Sequence, residues 1–286
     1  MNILPFLYWI NARETIRLKR AAGEPPPWTD DPILQQYRFC NVRREDDKVT
    51  IWIRENIRER YVDHPELWWM LALARTINWP DTIAEIIAAD AWSTRQGFTP
   101  SDMTPILEAR KARGEKVETG AYMIRPESDH TVFWFSWSKQ RYVAEVVLGR
   151  LWDDRAQWNN IPTTLAAKHA WLMGHRGWGP FMAFQAVVDM CFTPILSSAE
   201  DWGKWAAAGP GTLRGLNRLN ERNPKVPLSQ ERALNELKAL EALLRKETDV
   251  NFDWTDVPNI CCEVDKMLRI KNGEGRPRNL YRGSQR

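Results

Sequence analysis

Apolar residues recur along the chain at helical spacing, and prolines and glycines mark the breaks between the segments. Residues 67–77 are apolar on nearly every face, which predicts a central helix that ends before Pro80. Asp81 is expected to cap a further helix reaching about Ala89. Other helices are predicted from Thr99 to Arg113, Lys139 to Leu151, Thr164 to Met173, and from Pro180 onward. The pattern therefore predicts an all-α fold.

Two long helices are predicted toward the end of the chain. Ser229 should cap a helix reaching Lys246, which carries a stripe of leucines. The last helix is predicted from about Thr255 to Ile270, with a buried stripe of Val257, Ile260, Cys261, Val264 and Leu268, and with Glu263, Lys266 and Arg269 toward another face. Residues 116–137 break this regularity and predict a short β-hairpin or an irregular insert.

The 286 residues are enough for one large or two intimately packed helical domains. We expect an N-terminal arm over residues 1–30, a helical catalytic domain of two packed lobes over residues 31–270, and a basic tail over residues 271–286. Apolar runs are too short to cross a bilayer, and the N-terminus lacks the basic leader and cleavage site of a secretion signal. A soluble cytoplasmic protein without a membrane partner is therefore expected.

Charge and composition favour a polyanionic partner. The net charge is only +3, but cations crowd the segment from Arg269 to the end of the chain. A tail that merely keeps the protein soluble explains this equally well. Most of the 16 tryptophans should be core residues, while a few exposed ones would offer stacking faces for unpaired bases. The four cysteines and the histidines lack metal-ligand spacing, so no protein-bound catalytic metal is expected.

A glycine-rich turn separates two of the predicted helices. Gly177 and Gly179 permit positive φ and let a phosphate approach the backbone N–H groups of the helix that starts at Pro180. This predicts a DNA-phosphate clamp without sequence specificity, with an ordinary helix–turn–helix connection as the alternative. Asp189 lies in an apolar setting further along that helix, where desolvation would make it a better base.

The segment from Gly177 to Phe181, together with Asp189, resembles the hairpin and following acidic residue of helix-hairpin-helix DNA glycosylases, whose aspartate lies beside a flipped nucleotide. Residues 37–50 (YRFCNVRREDDKVT), 208–217 (AGPGTLRGLN) and 262–278 (CEVDKMLRIKNGEGRPR) resemble the α-glutamyl/putrescinyl-thymine pyrophosphorylase family. That family includes phage amino acid:DNA transferases and is related to the helical domain of 5-hydroxymethyluracil DNA kinases. The resemblance runs from about Tyr37 to Tyr281 and implies a glycosylase-like helical fold.

The resemblance also implies a reaction. Pyrophosphorylated 5-hydroxymethyluracil in phage DNA would lose pyrophosphate from its 5-methylene, and an amine, such as glycine or another amino acid, would take its place on a flipped-out base. The substrates would be double-stranded DNA carrying a modified thymine and the amine. We expect a monomer in the host cytoplasm and no cofactor, although Mg²⁺ accompanying pyrophosphate stays open.

The resemblance and the required chemistry together assign site residues. Glu263 or Asp189 would deprotonate the amine, and Lys266 would stabilise the leaving group. The predicted base-pocket residues are Arg38, Asn41, Arg44, Asp46 and Gln185. The predicted phosphate and DNA contacts are Arg176, Gly177, Gly179, Gly209, Gly211, Arg214, Arg276 and Arg278.

Blander interpretations remain open for each stretch. The run around Asn41 could instead form a solvated, salt-bridged helix, and the Gly209 loop could be a plain tight turn. Glu263 and Lys266 could form an ordinary surface ion pair worth about 0.3–0.5 kcal/mol. Two other functions compete with the transferase. One is a glycosylase on the same fold that excises a modified base, and the other is a non-catalytic module that recognises modified DNA.

Overall fold

A computed structural model describes residues 1–92, 98–120, 124, 132–275 and 280. The α-helices in these residues are α1 (Leu4–Ala21), α2 (Pro32–Gln36), α3 (Lys48–Ile53), α4 (Leu67–Ile77), α5 (Pro80–Ala88), α6 (Pro100–Ala112), α7 (Lys139–Arg141), α8 (Gly149–Asp153), α9 (Arg155–Trp158), α10 (Leu165–Met173), α11 (Pro180–Cys191), α12 (Pro210–Leu219), α13 (Gln230–Glu247) and α14 (Val257–Lys271). Across these same ranges there is no β-strand, and only an isolated antiparallel bridge joins Tyr37 to Leu280. The predicted all-α fold is confirmed.

The chain divides into two compact units. Unit 1 contains residues 1–47 and the described residues from 203 onward, and unit 2 contains the described residues between 48 and 202. Residues 1–30, where the sequence predicts an arm, include α1, and its Phe6, Trp9 and Ile10 are buried in unit 1. Helix α1 packs on α14 within that unit.

Helix α4 forms the centre of unit 2, with the bounds that its apolar pattern predicts. All of its residues are buried, and it packs against α11, which also packs against α10. It ends at Asn78, whose left-handed backbone (φ 48°) lets its N–H bond the carbonyl of Ala74. Tryptophans fill the space beside it, with the rings of Trp68 and Trp158 stacked 4.4 Å apart.

Of the two predicted helix caps, the one at Ser229 forms and the one at Asp81 does not, and Thr164, predicted as the start of a helix, also caps it. Thr164 accepts a bond from the N–H of Ala167 at 3.2 Å, and Ser229 does the same for Arg232 at 3.2 Å. The predicted cap at Asp81 is wrong, because α5 already starts at Pro80 after an extended Trp79 and leaves Asp81 in the first turn. The helix predicted from Lys139 to Leu151 is interrupted by a π-helical stretch at Tyr142–Leu148.

The predicted insert is described only in part. Residues 116–120, 124 and 132–137 contain turns and no strand, and the remainder of the segment lies outside the described residues. Within residues 132–137, the N–H of Phe135 donates to the carbonyl of Val132 and closes a turn. Among the helices that the structure describes, none combines the length and apolar character needed to cross a membrane.

Close packing of α12 on α14 shapes unit 1. Gly211 faces the side chain of Cys262, and Gly215 faces the backbone carbonyl of Cys261, so that a Cβ at either glycine would collide with α14. The two helices therefore approach each other more closely than larger residues would allow. This packing holds the acidic and basic face of α14 in a defined position.

Candidate functional site

The loop from Arg38 to Asp47, called here the 38–47 loop, is held by its own polar side chains. The N–H of Asn41 donates to Asp47 Oδ1 at 3.0 Å, and Asn41 Nδ2 donates to the carbonyl of Asp46 at 2.7 Å. Only Arg44–Asp46 form a short 3₁₀ turn, so the salt-bridged helix that the sequence left open for this run does not form. The side-chain bonds satisfy backbone groups that a helix would have paired, which explains the irregular loop.

Helix α1 holds the loop through a buried arginine that is not among the predicted site residues. Arg13 is 6% exposed, and its guanidinium donates to the carbonyl of Cys40 at 3.0 Å and of Phe39 at 3.4 Å, and to Asn41 Oδ1 at 3.1 Å. Burial lowers the pKa of Arg13, although an arginine keeps its charge in proteins. A single arginine on the otherwise apolar face of α1 is the signal that could have revealed it.

Helix α14 fastens the same loop from another side. Glu263 is 7% exposed, and its Oε2 accepts a bond from the N–H of Cys40 at 3.2 Å and one from Lys266 Nζ at 3.1 Å. Lys266 Nζ also donates to the carbonyl of Arg38 and lies 4.4 Å from the centre of the Phe39 ring. Glu263 and Lys266 are thus brought together with the 38–47 loop in unit 1, although the loop and α14 are far apart in the sequence.

Two carboxyl groups, that of the buried Asp256 beside the loop and that of Asp47 at the end of the loop, have strongly shifted pKa values. Burial raises the pKa of Asp256 from 3.8 to about 7, against the effect of the N–H groups of Arg44 and Asp253, which donate to it at 2.9 and 2.8 Å. Burial likewise raises the pKa of Asp47 from 3.8 to about 6. The predicted site residue Asp46 lies 3.5 Å from Arg17 in an ion pair.

The two predicted phosphate-binding glycines at the start of α12 differ in their surroundings. Gly209 precedes α12 and has open space where a Cβ would lie. A Cβ at Gly211 would instead collide with the side chain of Cys262. Arg214 bonds Asp265 Oδ2 at 2.8 Å, and Asp265 is fully buried. Arg218 also bonds Asp265, at 2.8 Å. Arg214, the predicted anion contact, is therefore already paired with the buried carboxylate of Asp265, which is not among the predicted site residues.

The predicted hairpin in unit 2 joins α10 to α11. Gly177 has φ +84°, and a Cβ there would lie 2.6 Å from Val147, so both backbone and space require glycine. Gly179 is the N-cap of α11 and faces open space, and Pro180 occupies the first helical position. The guanidinium of Arg176 lies 5.5 Å from the centre of the Trp134 ring.

Asp189 lies fully buried on α11 and is bound by an arginine. Arg75 Nη2 donates to Asp189 Oδ1 at 2.7 Å, and Arg75 Nε donates to the other carboxylate oxygen. Arg75 also donates to Asn78 and Thr50, so the whole group forms a buried polar network within unit 2. The predicted Gln185 lies half-buried one turn earlier on α11. Arg276 and Arg278 lie outside the described residues.

Comparisons with known proteins identify a family. No solved structure matches the chain. A similar protein is the "5-hmdU DNA kinase" of Bacillus phage SP10, which is 29% identical over 234 residues, covering 75% of this chain and 36% of the relative. The chain thus spans little more than a third of that relative's length. The family described as "5-hmdU DNA kinase, helical domain" matches residues 3–276, and the chain belongs to that family.

Proposed function

We propose that this chain modifies a base of phage DNA by joining an amine to the 5-methylene of a pyrophosphorylated 5-hydroxymethyluracil, with release of pyrophosphate. The family membership and a relative named for 5-hmdU in DNA support the substrate class. The observation that carries the proposal is the Glu263–Lys266 pair held against the 38–47 loop. A carboxylate and a cation side by side are what an amine nucleophile and an anionic leaving group require.

The reaction is a substitution at one carbon. The lone pair of a neutral amine forms a C–N bond to the 5-methylene, and the C–O bond breaks with its electron pair leaving on pyrophosphate. The attacking nitrogen then carries an extra proton, which Glu263 accepts. Lys266, 3.1 Å from Glu263 Oε2, offsets negative charge as the leaving group departs.

Access to the target carbon requires the base to leave the helix stack, because an external nucleophile must meet it in a shaped pocket. The hairpin between α10 and α11 would hold the DNA backbone during this step. The N–H groups at the N-terminus of α11 follow Gly179, which has open space beside it. Helix α11 is long enough for its dipole to favour a phosphate there. Such contacts bind DNA without reading its sequence.

Pyrophosphate release tests the proposal. DNA carrying the pyrophosphorylated base is incubated with the protein and a set of amines, and free pyrophosphate is measured by a coupled enzymatic assay. We expect release that depends on both the amine and the protein, and none from DNA with ordinary thymine. Alkali-labile abasic sites in place of amine-dependent release would instead indicate a glycosylase and would contradict the proposal.

A further inference from the structure

A cavity of about 380 Å³ opens in unit 1 beside the 38–47 loop. Its size falls within the range of about 300–1,000 Å³ that is usual for small-molecule sites. It is formed by α1, α2 and the two segments that flank α2, through Arg13, Ile16, Arg20, Pro26, Pro27, Trp28, Thr29, Leu34, Gln35, Tyr37, Arg38 and Phe39. None of the described residues that line it is acidic.

The lining combines cations with aromatic rings. Arg13, Arg20 and Arg38 contribute positive charge, and the guanidinium of Arg20 lies 5.2 Å from the centre of the Trp28 ring. Arg13 is already committed to the loop carbonyls, whereas Arg20 and Arg38 have exposed side chains. Trp28 is partly exposed and is one of the residues that line the cavity. Stacking faces beside arginines are the features that bind unpaired nucleotides.

We propose that this cavity binds one unpaired pyrimidine nucleotide, with its ring against Trp28 and its phosphate at the exposed arginines. The inference rests on the proposed function, for which it names the place of the extruded nucleotide. The amine co-substrate fits this cavity less well, because an ammonium group would find no carboxylate among the described lining residues.

The position of Phe39 connects this cavity to the proposed chemistry. Phe39 lines the cavity, and the ammonium of Lys266 lies 4.4 Å from the centre of its ring. Lys266 in turn contacts Glu263. A nucleotide in the cavity would therefore lie one side chain away from the pair that we propose to act on the amine and the leaving group.

Strand binding tests the inference. The affinity for a fluorescently labelled oligothymidylate is measured by anisotropy across a range of salt concentrations, for the unmodified protein, Trp28→Ala and Arg20→Gln. Phe133→Ala and Arg232→Gln serve as matched controls, because Phe133 is 73% exposed and the side chain of Arg232 57%, and neither lines the cavity. Thymidine 5′-monophosphate is added as a competitor, which distinguishes a nucleotide within a strand from a free one.

We expect Trp28→Ala to weaken strand binding roughly ten-fold or more, as loss of a stacked base does. Arg20→Gln should make the salt dependence shallower. The magnitude of the negative slope of log affinity against log salt should fall by about 0.7, the value for one lost phosphate contact on a single strand. If the monophosphate binds and the strand is insensitive to both variants, the ligand is a free nucleotide and the extruded-base assignment is overturned.

Unchanged binding of both ligands in Trp28→Ala also overturns the inference. Failure of the proposed function looks different, because the unmodified protein would then release no pyrophosphate from the activated DNA, whatever the two variants do to strand binding.

Discussion

The N–H of Cys40 donates to Glu263 Oε2 across 3.2 Å, joining the 38–47 loop to the last helix. The two residues are 223 positions apart in the sequence. Lys266 binds the same carboxylate from one turn further along α14. These two partners balance the negative charge of the carboxylate and define its position, at which we propose that it accepts a proton from the bound amine.

Replacing this carboxylate should slow the proposed reaction strongly while leaving the fold intact. Glu263→Gln retains an oxygen that can accept the Cys40 N–H but removes the basic group. We expect product formation to fall roughly 100-fold or more, because positioned acid–base groups contribute factors of about 10²–10⁴. The rate of pyrophosphate release per enzyme is the measurement.

Glu247→Gln provides the control for that substitution, since Glu247 is exposed on α13 in the same unit. It should leave the rate unchanged. An unimpaired Glu263→Gln enzyme would contradict the proton-accepting role of Glu263 and leave Asp189 as the other predicted base.

The buried pair of Asp189 and Arg75 leads to a second prediction. Asp189→Asn would leave the guanidinium of Arg75 buried without its counter-charge, which costs about 3–5 kcal/mol of unfolding free energy. Urea unfolding measures this loss, and Asp154→Asn is the control because its side chain is 47% exposed. Unchanged stability together with lost product formation would show instead that Asp189 acts in the reaction.

The third prediction concerns pH. Because burial raises the pKa of Asp256 from 3.8 to about 7, its protonated form stabilises the folded state. That contribution is complete below pH 3.8 and is lost as the pH rises through about 7, at no more than about 1.4 kcal/mol per pH unit. The unfolding free energy of the protein should therefore fall between pH 5 and about 7 and then level off.

The unfolding free energy of Asp256→Asn should fall less over the same pH interval, because the substituted side chain does not titrate. Asp249→Asn, at an exposed position, should retain the slope of the unmodified protein. Equal slopes in Asp256→Asn and the unmodified protein would rule out this carboxyl as the source of the pH dependence. Asp47, with its pKa raised to about 6, contributes in the lower part of the interval.

Helix packing leads to the fourth prediction. Glycine to alanine within a helix ordinarily stabilises by about 1 kcal/mol. At Gly215 the added Cβ would collide with the carbonyl of Cys261, so we expect Gly215→Ala to lower the melting temperature and cost about 1–3 kcal/mol. Gly209→Ala, which meets nothing within 4 Å, should leave stability nearly unchanged. A stabilised Gly215→Ala variant would contradict the close packing of α12 on α14.

Much of the helical fold was predictable, because periodicity and caps act locally. The bounds of α4 follow from its apolar run, and the caps at Thr164 and Ser229 follow from one side chain each. The course of the 38–47 loop was not predictable. It depends on bonds from Arg13 on α1 and Glu263 on α14, which no local pattern encodes.

The candidate site was predictable in residue type more than in arrangement. The resemblance pointed to Asn41, Glu263 and Lys266, and the structure brings these together in unit 1. It gives no signal for Asp256, whose importance arises from burial, or for Asp265, whose charge is balanced by Arg214 and Arg218. Burial of an acid is a property of the packed molecule, which sequence spacing alone does not show.

Nucleoside mass spectrometry tests the central claim most directly. DNA containing pyrophosphorylated 5-hydroxymethyluracil is incubated with the protein and isotope-labelled amines, then digested to nucleosides. We predict a nucleoside whose mass equals that of thymidine with the amine joined at the 5-methylene, carrying the label and formed about 100-fold or more slowly with Glu263→Gln. Recovery of only the unreacted base or its hydrolysis product, with no label in any nucleoside, would contradict the account.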